Sequence, residues 1–223
     1  MIKLEAVMNN KIKLDIISDV VCPWCIVGYK NLQAAIEKLD VADRIELQWQ
    51  PFELNPNMPP EGQDLREHVA EKYGSSLAES NSARINITAR GKEAGFTFNF
   101  FEEMKIVNTR DAHILLEYAH ELGKQTELKL RLFSAAFTDK KDVSNRETLL
   151  NEATLVGLDI QEAKMRLDSE PHRKEVIEQE LEWQRLGISS VPTVVFNRTS
   201  AMSGAQPVEA YVDALTELLS LNK

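Results

Sequence analysis

Cysteine is scarce in this chain: two residues among 223, and no third. A structural zinc site takes four ligands, usually a second Cys pair or two closely spaced His, so the scarcity argues against a metal role for the pair. Positive charge is also short, 26 Lys and Arg against 35 Asp and Glu, for a formal net charge of -9. No Lys/Arg run offsets this, which argues against nucleic acid or an anionic membrane surface as a partner, since both select basic patches. No stretch of about 18 apolar residues is present to span a bilayer. The first ten residues, Met1 to Asn10, lack the continuous apolar segment of a secretory signal. The expected location is therefore cytoplasmic, with a periplasmic form whose signal has been removed as the alternative. No P-loop, dinucleotide fingerprint, Ser-His-Asp grouping, repeat period or low-complexity tract is identified. The composition, 43% hydrophobic and 27% charged, suits a globular protein with a sizeable core, either one domain or a domain carrying a large insertion.

What is present is Cys22-Pro23-Trp24-Cys25. A bridge closing so short a loop removes little unfolded-chain entropy, roughly 2 kcal/mol, which makes a structural staple a poor explanation. Before the motif, Lys11 to Ile17 alternates and then turns continuously apolar, the pattern of a strand entering a buried sheet. After it, Val27, Leu32, Ala35, Ile36 and Leu39 recur at helical spacing. Cys22 is thus expected at the N-cap and Pro23 at the first helical position, where its missing N–H costs nothing. Free backbone N–H groups and the positive end of the helix dipole favour an anionic sulfur at Cys22. A lowered but not extreme Cys22 pKa is expected, with Cys22 as nucleophile and the deeper Cys25 as resolving thiol.

Alternation over Arg44 to Phe52 predicts a second strand, and three prolines between Leu54 and Pro60 end it. Between residues 63 and 187 the periodic stretches read as helices: 64–73, 78–94, 111–122, 127–138, 146–156 and 171–186. Gly123, Gly157 and Gly187 fall where helix C-termini belong, and Pro171 fits the first helical position after Ser169. Strand character returns at Thr193 to Asn197 and at Ala201 to Ser203, followed by an amphipathic helix from Pro207. A βαβ half, a long helical block and a ββα half describe an α/β chain with a thioredoxin fold interrupted by an all-helical insertion. The expected division is 11–62 with 188–223 for the thioredoxin domain, 63–187 for the insertion and 1–10 for a short extension.

With these residues in view, the chain resembles the DsbA-like thioredoxin superfamily and, within it, the FrnE-like subgroup. The resemblance rests on the CPWC of Cys22 to Cys25, its Ser18-Asp19-Val20-Val21 approach, Gly187 to Thr193 with Val191-Pro192-Thr193, and the Ser203-Gly204-Ala205-Gln206-Pro207 turn. It implies a thiol–disulfide oxidoreductase acting on protein or small-molecule substrates. It also implies a cis bond at Val191–Pro192 beside the cysteines, in a loop that pairs with substrate and excludes metal from the dithiol; the alternative is an ordinary turn proline. Trp24 joins Val191 and Pro192 as an expected substrate contact, and Pro23 supports the site. No cofactor beyond the internal Cys22/Cys25 couple is expected, with glutathione a candidate reductant and a recycling partner unspecified. The same insertion architecture resembles kappa-class glutathione transferases and 2-hydroxychromene-2-carboxylate isomerases, which carry Ser where Cys22 stands. A non-enzymatic, chaperone-like binding module is the third reading.

Three other features read as structural. His113, Glu117 and His120 share a helical face and are expected to be a solvated surface, not a metal set. Asn108-Thr109-Arg110-Asp111 reads as a helix start. Phe96, Phe98, Phe100 and Phe101 are expected to pack the helical block against the thioredoxin core, with a substrate surface as the alternative.

Overall fold

The structure is a computed structural model that describes residues 11–221; the short N-terminal extension lies outside the described residues. Strand β1 (Ile12–Ser18) runs into helix α1 (Pro23–Leu39), and a 3-10 turn at Ala42–Arg44 leads to β2 (Ile45–Pro51). After the helical segment come β5 (Thr193–Phe196), β6 (Ser200–Ser203) and α9 (Val208–Leu221). These strands form a four-stranded sheet in the order β2-β1-β5-β6. β2 is parallel to β1, with Ile12 opposite Ile45, whereas β5 is antiparallel, with Ile17 opposite Thr193. A parallel pair needs a crossover, and α1 supplies it. β1 is central, so Ile12, Leu14, Ile16 and Ile17 are all buried and its polar alternation is lost toward its C-terminal end. The result is a thioredoxin fold with a helical insertion between β2 and β5.

The insertion contains α2 (Leu65–Tyr73), α3 (Leu77–Glu93), α4 (Arg110–Glu121), α5 (Gln125–Phe137), α6 (Arg146–Leu155), α7 (Ile160–Leu167) and α8 (Glu170–Arg185). Two features depart from the expectation. A two-residue antiparallel ladder pairs β3 (Gln63–Asp64) with β4 (Lys105–Ile106), so the insertion is not wholly helical. The periodicity does not predict helix α7, although Asp159 caps it by accepting the amides of Gln161 and Glu162; its two buried residues, Ala163 and Leu167, make too short an apolar stripe to register as a period. The other helices end within about two residues of their expected limits, as frayed termini do. Pro171 occupies the second helical position, one later than expected, because Glu170 opens α8. Gly123, Gly157 and Gly187 follow the last residues of α4, α6 and α8 with φ of 68, 76 and 86°, a region open to glycine without a Cβ penalty.

One apolar core passes from the sheet into the insertion. Trp49 on β2 lies 4.8 Å from the Tyr29 ring of α1 and 6.1 Å, edge-on, from Phe133 of α5. Its outer backbone edge is completed by a side chain: Gln125 accepts from the Trp49 N–H and donates to the Trp49 carbonyl, both at 2.9 Å. That contact caps an otherwise open sheet edge and anchors α5 against it. Phe98 is buried, 5.3 Å from Phe137 and stacked at 5.5 Å on Phe100. Phe96, Phe100 and Phe101 are half-buried against the same core, so the phenylalanine cluster serves packing. Gly91 is required there, since a Cβ would sit 2.4 Å from the Phe98 ring.

Candidate active site

Cys22 is the N-cap of α1, with φ -94° and ψ 110°, and Pro23 follows at the start of the helix. The turn is tight because the Cys25 amide donates to the Cys22 carbonyl at 3.1 Å and the Cys22 amide to that of Asp19 at 3.2 Å. Both cysteines are unbridged, and Cys25 is fully buried while Cys22 keeps 5% exposure at the surface edge. Opposite them the Val191–Pro192 peptide bond is cis. The Cys22 Sγ lies 3.9 Å from the Val191 carbonyl oxygen.

That loop is held from below. The Gly204 amide donates to the Pro192 carbonyl at 2.7 Å, and Asn31 of α1 donates to the Gln206 carbonyl at 2.8 Å. The Ser203–Pro207 turn therefore ties α1 to the proline. Gly28 permits the approach: a Cβ there would come within 3.2 Å of the Pro192 ring and 3.3 Å of Ala205. The structure thus brings Cys22, Cys25, Val191 and Pro192 together. Trp24 is half-buried and lines a separate groove of about 500 Å³ with Val27, Arg90, Ala205 and Pro207, a lining that excludes Val191 and Pro192.

Beneath the cysteines is a buried polar cluster. Lys129 of α5 is fully buried and donates to the Ser18 carbonyl at 3.1 Å, with its ammonium 5.3 Å from the Trp49 ring and 5.4 Å from that of Phe133. Burial pulls its pKa down to about 8, against the charges of the thiols and Asp19. Asp19 accepts the Leu54 amide at 2.8 Å, and its other oxygen lies 3.5 Å from Nε2 of His113. Burial opposes its ionisation, yet His113, the Leu54 amide and Lys129 hold its carboxyl below the usual range.

These neighbours decide how the two thiols share charge. Burial opposes ionisation of Cys25, but the Cys22 thiol, the Ser18 side chain, Lys129 and the Asp19 backbone together pull it below the ordinary thiol range. Cys22 is pushed well up, first by its hydrogen bond with Cys25, then by burial and by the Cys25 charge. The pair therefore gives up its first proton readily and holds its second. That first ionisation belongs to the two sulfurs together, so the lowered pKa expected of Cys22 alone is not assigned to that sulfur. The helix N-terminus favours negative charge at the Cys22 end of the pair, and the buried ammonium delivered by the insertion favours it at Cys25.

The polar face of α4 is turned partly inward, not solvated as its spacing implies. His113 is 2% exposed and faces Asp19; only His120 of the supposed solvated face is exposed, and Glu117 is half-buried. Helix α4 is packed by α5, α7 and α8, so one polar stripe was turned inward. Among the described residues no group of three or more His, Cys, Asp and Glu side chains is placed to hold a metal ion. Asn108 and Arg110 start α4 and also clamp the buried Glu53, at 2.9 and 2.8 Å. Glu180 of α8, 7% exposed, is pushed up to about 8 by burial, with the charges of Glu53 and Asp19 adding to it.

Glu180 gives a pH prediction. A carboxyl whose folded pKa is raised contributes stability below its unfolded pKa and loses it as pH rises through the folded value. Glu180→Gln is therefore expected to melt higher than the parent by a margin that grows from pH 5 to 8 and then levels, on the order of 2 kcal/mol. Paired melts at pH 5 and pH 9 check it; an unchanged margin would mean that Glu180 is charged throughout.

A mixed sheet with α1 and α9, and a dithiol at the start of α1 facing a cis-proline loop, define a thioredoxin-fold protein with a redox-type site. The family model of the DSBA-like thioredoxin domain matches residues 13–216, and the chain belongs to that family. It is similar to a probable DsbA oxidoreductase from Streptomyces coelicolor, with 30% identity, a TM-score of 0.88, and coverage of 94% of this chain and 90% of that one. It is 26% identical over 208 residues to the uncharacterized protein YwbO of Bacillus subtilis, covering 92% of this chain and 96% of YwbO. A 2-hydroxychromene-2-carboxylate isomerase shares the fold at 15% identity and a TM-score of 0.70, covering 94% of this chain and 97% of its own. Family membership supports an oxidoreductase. Among the described residues no helix is long and apolar enough to cross a membrane.

Proposed function

We propose that the protein is a cytosolic thiol–disulfide oxidoreductase in which Cys22 attacks and Cys25 resolves. The observation that carries this reading is the unequal placement of the two sulfurs: Cys22 at the surface edge, 3.9 Å from the Val191 carbonyl, and Cys25 fully buried behind it. Cys22, at 5% exposure against 0%, is the sulfur nearer to an external disulfide. As a thiolate it forms a mixed disulfide and expels one substrate thiolate; Cys25 then attacks Cys22, releasing the second and leaving the Cys22–Cys25 disulfide. The substrate gains two electrons and the protein loses them; the reverse order oxidises a dithiol. Backbone groups of Val191, held by cis-Pro192, position an extended substrate strand, and Trp24 contacts substrate from the neighbouring groove.

Protein or small-thiol disulfides are the proposed substrates, with glutathione or a partner oxidoreductase resetting the couple. The reading includes no cofactor, metal, nucleic-acid or membrane partner and sits within the FrnE-like subgroup. A cytosolic setting fits a chain whose two cysteines form its whole thiol complement, since structural disulfides are rare there. The isomerase and glutathione transferase chemistry of the wider fold goes with Ser in place of Cys22, and this chain has Cys. Equilibration with graded glutathione buffers should give a single reversible two-electron transition involving Cys22 and Cys25. Failure to find a reversible transition would overturn the reading.

A further inference from the structure

A cavity of about 240 Å³ opens between α2, α3 and the turn that carries Cys22. Its wall includes Val21 and Pro23, the residues on either side of that cysteine, and its interior is apolar, with Val69, Ile87, Phe100 and Met104 among its lining. Such surface gains from an apolar occupant. The volume corresponds to roughly eight waters, room for a chain of roughly six to ten carbons.

The charged groups around the cavity are mostly occupied. Lys72 donates to the Leu54 carbonyl and the Asn55 side chain, at 3.1 and 2.9 Å. Lys105 donates to the Glu61 carbonyl at 3.0 Å, and His68 contacts Gln63 at 2.7 Å. Glu79 is engaged by the Ser76 amide and hydroxyl in a capping box. Arg84 is the exception. Its guanidinium lies 5.9 Å from the Phe100 ring centroid, and its Nη2 is buried without an acceptor among the described residues. A buried guanidinium nitrogen with no acceptor, on the wall of an apolar cavity and with Asp64 and Glu102 only at longer range, is a site for an anionic oxygen.

We propose that this cavity binds a small apolar carboxylic acid, its hydrocarbon against Val69, Ile87 and Phe100 and its carboxylate on Arg84. The proposal goes beyond the dithiol chemistry and does not depend on it, because binding forms no bond to sulfur. An acid seated there lies against Val21 and Pro23, the residues flanking Cys22.

Octanoate is the probe, with octanol as its uncharged counterpart, titrated calorimetrically into the full chain. Octanoate is expected to bind with one site per chain, and Arg84→Gln to weaken it by about tenfold or more without changing octanol binding. Arg84→Lys should recover only part of the loss, since an ammonium lacks the two-pronged geometry. Ile87→Trp, which fills the cavity, should remove both ligands. Equal binding of octanoate and octanol, unchanged octanoate binding by Arg84→Gln, or no octanoate binding to the parent would each overturn the proposal. Because the readout is heat of binding, a failure here leaves the redox transition of Cys22 and Cys25 untouched.

Discussion

Cys22→Ser is expected to lose disulfide exchange by about a thousandfold or more, because a hydroxyl is not ionised at neutral pH and does not form a mixed disulfide. Cys25→Ser is expected to behave differently: it should accumulate a covalent adduct with substrate, since the sulfur that would release it is gone. Mass spectrometry after mixing each variant with a disulfide-containing peptide distinguishes the two. The test has force because the electrostatics point the other way, with Lys129, Ser18 and the Asp19 backbone favouring the thiolate at Cys25. Cys25 is nevertheless fully buried and Cys22 is not, so access selects the attacking sulfur. The two thiols share one ionisation, so the charge is available to Cys22 as the attacking sulfur. An adduct trapped by Cys22→Ser, and none by Cys25→Ser, would reverse the roles.

Lys129→Met should shift both redox poise and stability, in ways that a merely packing residue would not. The ammonium stabilises the reduced state by facing its thiolate. Removing it is expected to make the couple more reducing by about 30 mV, the equivalent of about 1.4 kcal/mol for two electrons. The stability change has the opposite sense. In the disulfide form no thiolate offsets the buried charge, so the Met variant should be more stable at pH 7, by on the order of 1–3 kcal/mol. The sign with pH follows from a Lys129 pKa of about 8 in the reduced fold, lower still once the thiol charges that raise it are gone, against 10.5 unfolded. Between those values the unfolded parent binds more protons, its stability rises with pH, and the advantage of the variant shrinks. Redox titration, together with melts of the oxidised protein at pH 7 and pH 10, checks both parts. An unmoved potential would remove Lys129 from the site's electrostatics.

Much of the fold was legible because its causes are local. β1 runs from alternating to fully apolar, α1 starts at Cys22-Pro23, and glycines follow α4, α6 and α8; each depends on residues within a turn or two of one another. Helix α7 and the β3–β4 ladder escaped because eight residues and two residues carry too little periodic signal. His113 escaped for another reason. Its spacing with Glu117 and His120 is that of a solvated stripe, and only the packing of α4 under the dithiol buries it.

By itself the sequence determined the dithiol, its place at the start of a helix and the split α/β arrangement, since periodicity, capping and the two cysteines need no distant partner. The tertiary structure alone decided which charges surround the two thiols. Lys129 is separated from Cys25 by about a hundred positions, and a lysine in a helix reads as surface until the sheet edge at Trp49 and the ring of Phe133 enclose it. Burial turns an ordinary charge into one that acts on its neighbours at low dielectric, and burial is a property of the assembled chain.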